Sequence, residues 1–241
     1  MSRFPKTLHF PSLDSTNEEL RRRIDAGTCR DGLVVIADQQ TSGRGRLGRT
    51  WASPAGNLHL SLARRMNEPH HLTTAMTLVA GQALARCIEE STGLRAAIKW
   101  PNDLLLAGRK LAGILVEGCE GWQIIGVGVN IGARMEDLPE ELQDIATTLP
   151  DHVMPPPDPK DIAARFLETF TALEADFLNR GGLDQDLWNR YWTDRNRPIR
   201  AWLGQDPIDG VALDVTPSGV LRVRDDAGRV HEIRSGEILR R

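Results

Sequence analysis

Cysteine is scarce: only Cys29, Cys87 and Cys119 occur in 241 residues. An odd count at wide spacings matches no zinc or redox motif and excludes a disulfide scaffold, so free thiols are expected. The six histidines (His9, His59, His70, His71, His152 and His231) show no H-x3-H spacing, which removes the usual signature of a structural metal. No apolar run is long enough to span a membrane. The opening Met1-Ser2-Arg3-Phe4-Pro5-Lys6 lacks the apolar core of a signal peptide, so a cytoplasmic protein is expected. Charge of one sign is also missing. Lys+Arg number 30 against 33 Asp+Glu, a net charge of −3, so there is no global drive towards nucleic acid or anionic lipid. Any anion must be caught by a local cluster of basic groups. There is no internal repeat and no low-complexity tract.

What is present reads as an ordinary globular chain, 40% apolar and 26% charged. Ser15-Thr16-Asn17-Glu18 has the spacing of a capping box; Leu20 and Ile24 supply an apolar stripe, and Gly27 closes the helix. Leu33–Ala37 suits a buried strand, and Leu58–Leu62 alternates like a half-buried one. The spacing of Leu72, Met76, Val79, Ala80, Ala83, Cys87 and Ile88 predicts a helix over 72–92. Strands are expected at 95–100, 103–107 and 110–117, with Ala107-Gly108-Arg109 as a hairpin turn, and then over 123–131. After a proline-rich loop at 150–159, Asp158 can cap a helix with Pro159 in its first turn. Ile162, Phe166, Phe170, Leu173 and Phe177 should then dock that helix on the sheet. From Asn196-Arg197-Pro198 onward, short strands alternate with turns at Gly204, Gly210, 217–219 and 226–228, as in a small barrel of SH3 type. The expected domains are 1–195 and 196–241.

Four stretches carry chemistry. Gln40 to Trp51 places three arginines and three glycines within seven residues. Glycines let backbone wrap closely around a ligand, and arginine forks grip carboxylate or phosphate oxygens. The competing readings are a solvated basic loop or an RNA contact. Lys99-Trp100-Pro101-Asn102-Asp103 can hold Mg²⁺ or a phosphate-bearing substrate, or can be a plain turn. Arg109 to Glu117 is an apolar strand opened by Lys110, which the hairpin returns towards Asn102 and Asp103. Ile125 to Ile131 carries Gly126, Gly128 and Asn130; strand glycines mark a close approach by something else, and a nucleotide fits that description.

In order and wording these stretches resemble the biotin protein ligases. Those enzymes show S-T-N near the first helix, then Q-T-x-G-R-G-R-x-G-R-x-W, K-W-P-N-D, R-K-(L/I)-x-G-I-L-x-E and G-x-G-x-N. Here the words are Ser15–Asn17, Gln40–Trp51, Lys99–Asp103, Arg109–Glu117 and Gly126–Asn130, with no departure inside them. The resemblance covers roughly residues 8–241.

It implies an α+β fold of the class II synthetase-like, biotin–lipoate ligase kind: a mixed sheet with helices on one side, then a small SH3-like barrel. It implies MgATP and biotin as substrates, biotinyl-5′-AMP as intermediate, and transfer of biotin to a lysine of a biotin carboxyl carrier domain. Acetyl-CoA carboxylase is the expected host of that domain. By the same resemblance Ser15, Thr16, Asn17, Gln40, Arg44, Gly45, Arg46, Lys110 and Gly113 surround biotin. Arg49, Trp51, Asn102, Lys110, Gly128 and Asn130 hold ATP, with Trp51 near the adenine. Lys110, Arg46 and Asp103 are the expected catalytic residues, and Asp103 orients the metal or the incoming lysine. With S-T-N at residue 15 no winged-helix domain is expected before it, so the chain should be a ligase that does not bind DNA, as a monomer or homodimer. A lipoate ligase-like enzyme and an RNA-binding module are the rival readings.

Overall fold

The computed structural model describes residues 6–66, 73–203 and 206–240. Leu72 and Gly204, named above as a helix start and a turn, lie outside them. Seven strands form one sheet: β1 (Thr7–Leu13), β2 (Val34–Gln40), β3 (Leu58–Arg65), β4 (Ala97–Lys99), β5 (Asp103–Leu106), β6 (Arg109–Cys119) and β7 (Trp122–Val129). Their order is β1-β2-β3-β7-β6-β5-β4. β1 runs parallel to β2, and the other neighbours are antiparallel. The parallel pair is bridged by α1 (Thr16–Asp25), as a crossover requires. β1 was not expected from the sequence. It is an edge strand, largely open to solvent and carrying Pro11, so the usual alternation is weak.

The two-residue period of β3 divides the sheet into two faces. Leu58, Leu60 and Leu62 enter the main core under α2 (Thr73–Thr92), whereas Ala63 joins a smaller core with Leu20 and Ile24 of α1. The helices therefore cover both faces rather than one. Since α1 covers only part of its face, the rest is left for the site. β5 and β6 are joined by Ala107 (φ 50°) and Gly108 (φ 83°), two successive left-handed residues as a type I′ hairpin demands. Arg109 already belongs to β6.

After α3 (Glu140–Gln143) comes α4 (Pro159–Arg180), which begins as its sequence predicts, with the Asp158 carboxylate accepting from Lys160 N at 2.8 Å. Its apolar stripe packs chiefly along α2 and reaches the sheet at β3, so α4 is a second layer and does not lie directly on the strands. One tie between these layers is the ion pair of Arg64 with Glu174. α5 (Gln185–Tyr191) follows and also packs on α2.

The second sheet is antiparallel, with β8 (Pro198–Leu203), β9 (Asp206–Val215), β10 (Leu221–Asp225), β11 (Val230–Ile233) and β12 (Ile238–Arg240) in the order β11-β10-β9-β8-β12. Among the described residues its two edge strands do not pair, so the expected barrel is an open, curled sheet. Ile199, Ala201, Ala212, Leu221 and Ile238 belong to the same core as the large sheet. Trp100 Nε1 donates to Gly219 O at 3.2 Å, and Arg240 Nε to Asp194 at 2.5 Å. The small sheet is thus fastened to the large one by apolar contact and by buried polar groups.

Candidate active site

The loop after β2 folds back on itself. Trp51 N donates to Gly43 O at 2.9 Å and Gly45 N to Arg49 O at 2.7 Å, with a short helical turn over Arg46–Gly48 at the tip. Gly43 is required here, since a Cβ at this position would stand 2.4 Å from Trp51 O. The Trp51 indole then lies on bare strand. A Cβ on Gly128 would be 2.5 Å from its Cε2, and one on Gly113 would be 3.0 Å from its Cζ3. Gly126 is similarly bare beneath Asn17, whose Oδ1 would be 2.3 Å from an added Cβ. The strand glycines do mark a close approach, and the approaching groups are side chains of this chain.

A neutral polar network fills one end of the resulting cleft. Thr16 donates from N (2.8 Å) and from Oγ1 (3.1 Å) to Gln40 Oε1, and Gln40 Nε2 donates to Ser53 Oγ at 3.0 Å. Ser61 Oγ lies 2.7 Å from Thr16 Oγ1 and 2.6 Å from Asn17 Oδ1. Asn17 Nδ2 donates to Glu117 at 2.8 Å. Glu117 in turn pairs with Arg21 (3.3 Å) and Arg44 (3.1 Å), and Arg44 also pairs with Glu18. Ser15 occupies the cap position of α1, but its side chain makes no cap bond. The expected capping box is therefore absent: Glu18 is turned to Arg44, and buried Ser15 lines the cleft.

The other end is cationic. Lys110 Nζ sits 2.8 Å from Asp103 and 5.5 Å from the Trp51 ring centroid. Arg46 donates to Asn102 Oδ1 at 3.0 Å, and Asn102 Nδ2 to Asp103 Oδ1 at 3.1 Å. Arg49 pairs with Glu237 of the small sheet. Burial pushes the Lys99 ammonium pKa down, against the pull of Asp103. One carboxylate, Asp103, thus stands among Lys110, Lys99 and Arg46. Among the described residues no three His, Cys, Asp or Glu side chains gather into a metal site. A lone carboxylate beside a cationic cleft fits Mg²⁺ arriving on phosphate oxygens, the usual mode for that ion. The loop arginines all have partners inside the protein: Arg44 with Glu18 and Glu117, Arg46 with Asn102, and Arg49 with Glu237.

Of the residues singled out in the sequence, Ser15, Thr16, Asn17, Gln40, Arg44, Gly45, Arg46, Arg49, Trp51, Asn102, Lys110, Gly113, Gly128 and Asn130 all line this one cleft. Asp103 stands behind Lys110 and outside the lining. Asn130 spends much of its amide on the protein, donating to Thr147 O at 3.0 Å and accepting from Asn57 at 3.3 Å. Sequence reasoning missed Ser61, and it quoted Glu117 without giving it work. It also missed a wall built by Leu138, Leu142, Ile145 and Ala146. That wall is hung on the start of β6, with Lys110 N donating to Ile145 O (2.8 Å) and Thr147 N to Lys110 O (2.9 Å). The three- and four-residue spacing of those apolar side chains was the available signal.

The chain is similar to known biotin protein ligases. Residues 9–135 match the biotin/lipoate A/B protein ligase family, and residues 196–241 match the biotin protein ligase C terminal domain. The chain is 36% identical to the biotin–[acetyl-CoA-carboxylase] ligase of Mycobacterium tuberculosis, over 93% of this chain and 85% of that protein. It is 33% identical to the bifunctional ligase/repressor BirA of Bacillus subtilis, over 93% of this chain and 71% of that one. Among solved structures, the biotin protein ligase from Aquifex aeolicus in complex with biotin and ATP superposes with a TM-score of 0.87 at 28% identity, covering 99% of this chain and 100% of that one.

Proposed function

The chain belongs to the biotin/lipoate A/B protein ligase family, and from that premise we propose that it is an ATP-dependent biotin–[biotin carboxyl-carrier protein] ligase. It activates biotin as biotinyl-5′-AMP and passes the biotinyl group to a lysine of the carrier domain of a carboxylase. The observation that carries this reading is the meeting in one cleft of an end rich in hydroxyl and amide groups and a cationic end, over glycines that let Trp51 and Asn17 lie close on the strands.

The chemistry sets two problems, and the residues answer both. In the first step the biotin carboxylate attacks the α-phosphorus of ATP and pyrophosphate leaves. Two anions must meet, so positive charge has to be fixed in place before they arrive. Lys110 stands at the junction, held by Asp103 on one side and lying against the Trp51 ring. It is suited to bridge the carboxylate and the α-phosphate, with Arg46 and Arg49 beside it. Asp103 orients Lys110 and is the residue suited to meet Mg²⁺. Trp51, Asn102, Gly128 and Asn130 form the nucleotide side. The ureido ring of biotin offers one acceptor and two donors, and Ser15, Thr16, Asn17 and Gln40 can match all three. Gly113, lacking a Cβ, leaves room for the Trp51 ring and the Lys110 side chain where the two ends meet.

The second step needs protection. A biotinyl adenylate is a mixed anhydride and hydrolyses in water, and a loop over 43–49 closed on Asn102, Glu117 and Glu237 keeps water out. When the carrier lysine attacks the acyl carbon, AMP leaves. In the same proposal 1–195 is the catalytic unit and 196–241 the smaller domain. The chain acts without DNA, as a monomer or homodimer, in the cytoplasm. Among the described residues no helix is long and apolar enough to cross a membrane.

ATP–pyrophosphate exchange with biotin, with lipoate and with neither tests the reading. Exchange with biotin alone is expected. Exchange with lipoate alone would transfer the mechanism to another substrate, and no exchange from folded protein would remove it.

A further inference from the structure

Two buried polar atoms lack a hydrogen-bond partner among the described residues and lie on the same patch of sheet: Nε1 of Trp51 and Nε2 of His59. β3 runs between β2 and β7, and His59 faces Ala37 on one side and Gly128 on the other. Directly paired residues of antiparallel strands put their side chains on one face, with Cβ positions about 5 Å apart. The Trp51 nitrogen stands over Gly128, 2.6 Å from where a Cβ would be. The pyrrole edge of the indole is therefore a cross-strand neighbour of the imidazole.

The chemistry of the two atoms is complementary. His59 Nδ1 lies 3.3 Å from Ala37 O, and a carbonyl only accepts, so Nδ1 carries the ring proton. Nε2 is left with a lone pair. Burial pushes the His59 pKa down to about 4, so the ring is neutral near pH 7. Indole Nε1–H only donates. An acceptor without a donor stands beside a donor without an acceptor, in a place that water reaches poorly. Buried polar groups are almost always satisfied.

We propose that one bridging water carries a hydrogen bond from Trp51 Nε1–H to His59 Nε2, and that His59 is thereby the positioning residue that fixes the indole over Gly113 and Gly128. The indole is the peg of the closing loop, since Trp51 N also holds Gly43 O. Fixing it sets the nucleotide side of the cleft before ATP arrives. This kinetic consequence rests on the proposed place of Trp51 at the nucleotide; the hydrogen bond itself does not.

The test uses the whole chain labelled with ¹⁵N, with the Trp51 indole resonance identified by its loss in Trp51→Phe. In the wild type its N–H should exchange slowly with solvent, and His59 should show the Nδ1–H tautomer. In His59→Phe that N–H should exchange at least about tenfold faster, while the other indole signals stay in place. The KM for ATP should rise about tenfold with the KM for biotin unchanged, the size expected for one lost buried hydrogen bond. His59→Gln, which keeps an acceptor near the same place, should recover most of both. A wild-type Trp51 N–H that exchanges as fast as in His59→Phe, or an Nε2–H tautomer, overturns the pairing; the tautomer can be read without any variant. A protected N–H whose loss leaves the KM for ATP unmoved supports the pairing and overturns the nucleotide assignment of Trp51.

Discussion

Gly126→Ala adds a single carbon, and its effect can be worked out from the contacts around it. Gly126 lies mid-strand in β7, paired with Ser61 and Leu115. Its φ is not in the left-handed region, so alanine meets no backbone strain and on chain entropy alone would stabilise the fold slightly. The new Cβ, however, would stand 2.3 Å from Asn17 Oδ1 and 3.1 Å from its Cγ. Asn17 is only 4% exposed and must retreat by about 1 Å to reach ordinary contact. That movement breaks its 2.6 Å contact with Ser61 and its 2.8 Å bond to Glu117. A neutral bond contributes about 1 kcal/mol and one to a carboxylate about 2 kcal/mol, so the cost is about 3 kcal/mol and on the order of 10 °C in Tm. The Kd for biotin should rise on the order of tenfold to a hundredfold if, as proposed, the same amide meets the ureido ring.

The assay is a cycle of four proteins (wild type, Gly126→Ala, Asn17→Ala and the double variant), each melted and titrated with biotin by calorimetry. With Asn17 shortened, the added carbon strikes nothing, so the second substitution should cost almost nothing. An equal cost with and without Asn17 would refute the steric argument. Unchanged biotin affinity in Gly126→Ala would remove Asn17 from the biotin site.

Lys110→Ala should remain folded by circular dichroism while ATP–pyrophosphate exchange drops on the order of a hundredfold or more, the effect of removing a fixed charge from a transition state. Arg46→Gly cuts the loop's bond to Asn102; it should release biotinyl-5′-AMP and label bystander proteins, read on a streptavidin blot against wild type. Stability should also fall between about pH 6.5 and pH 4, because the unfolded chain protonates His59 at its ordinary pKa of 6.5 while the folded chain resists until about 4. The unfolded state binds the extra proton, so the contribution is present above 6.5 and lost on acidification, at most about 3 kcal/mol. Denaturant titrations across that range should show the slope in the wild type and a reduced slope in His59→Gln.

Much of the site was legible because its residues are polar or glycine in places where a core would want neither. Arginines alternating with glycines, a lysine opening an apolar strand and glycines inside another strand each break local rules, and all of them converge on one cleft. The parts that stayed hidden obey those rules. Ser61 sits in an alternating strand where a small polar residue excites no notice, and only the register opposite Gly126 brings it to Asn17. Leu138, Leu142 and Ile145 read as ordinary apolar spacing; their place depends on two backbone bonds to Lys110. The capping box misled because Ser15 and Glu18 have the right spacing, but the Ser15 side chain faces the cleft and Glu18 is turned to Arg44. α4 showed its apolar face plainly, while the layer that receives that face is a long-range fact. β1 escaped notice because an edge strand interrupted by proline buries too little to show a period.

Gly113, Gly126 and Gly128, which seat Trp51 and Asn17, have a consequence for selection under an inhibitor. A compound that packs on the Trp51 ring and the Asn17 amide depends on side chains whose place is set by the missing Cβ atoms beneath them. A mutation that adds a side chain there displaces Trp51 or Asn17 along with the compound. Resistance at those positions is therefore coupled to loss of the catalyst itself. Escape is cheaper along the apolar wall, at Leu142 or half-exposed Ile145, where a change of shape leaves the polar network and the lysine in place.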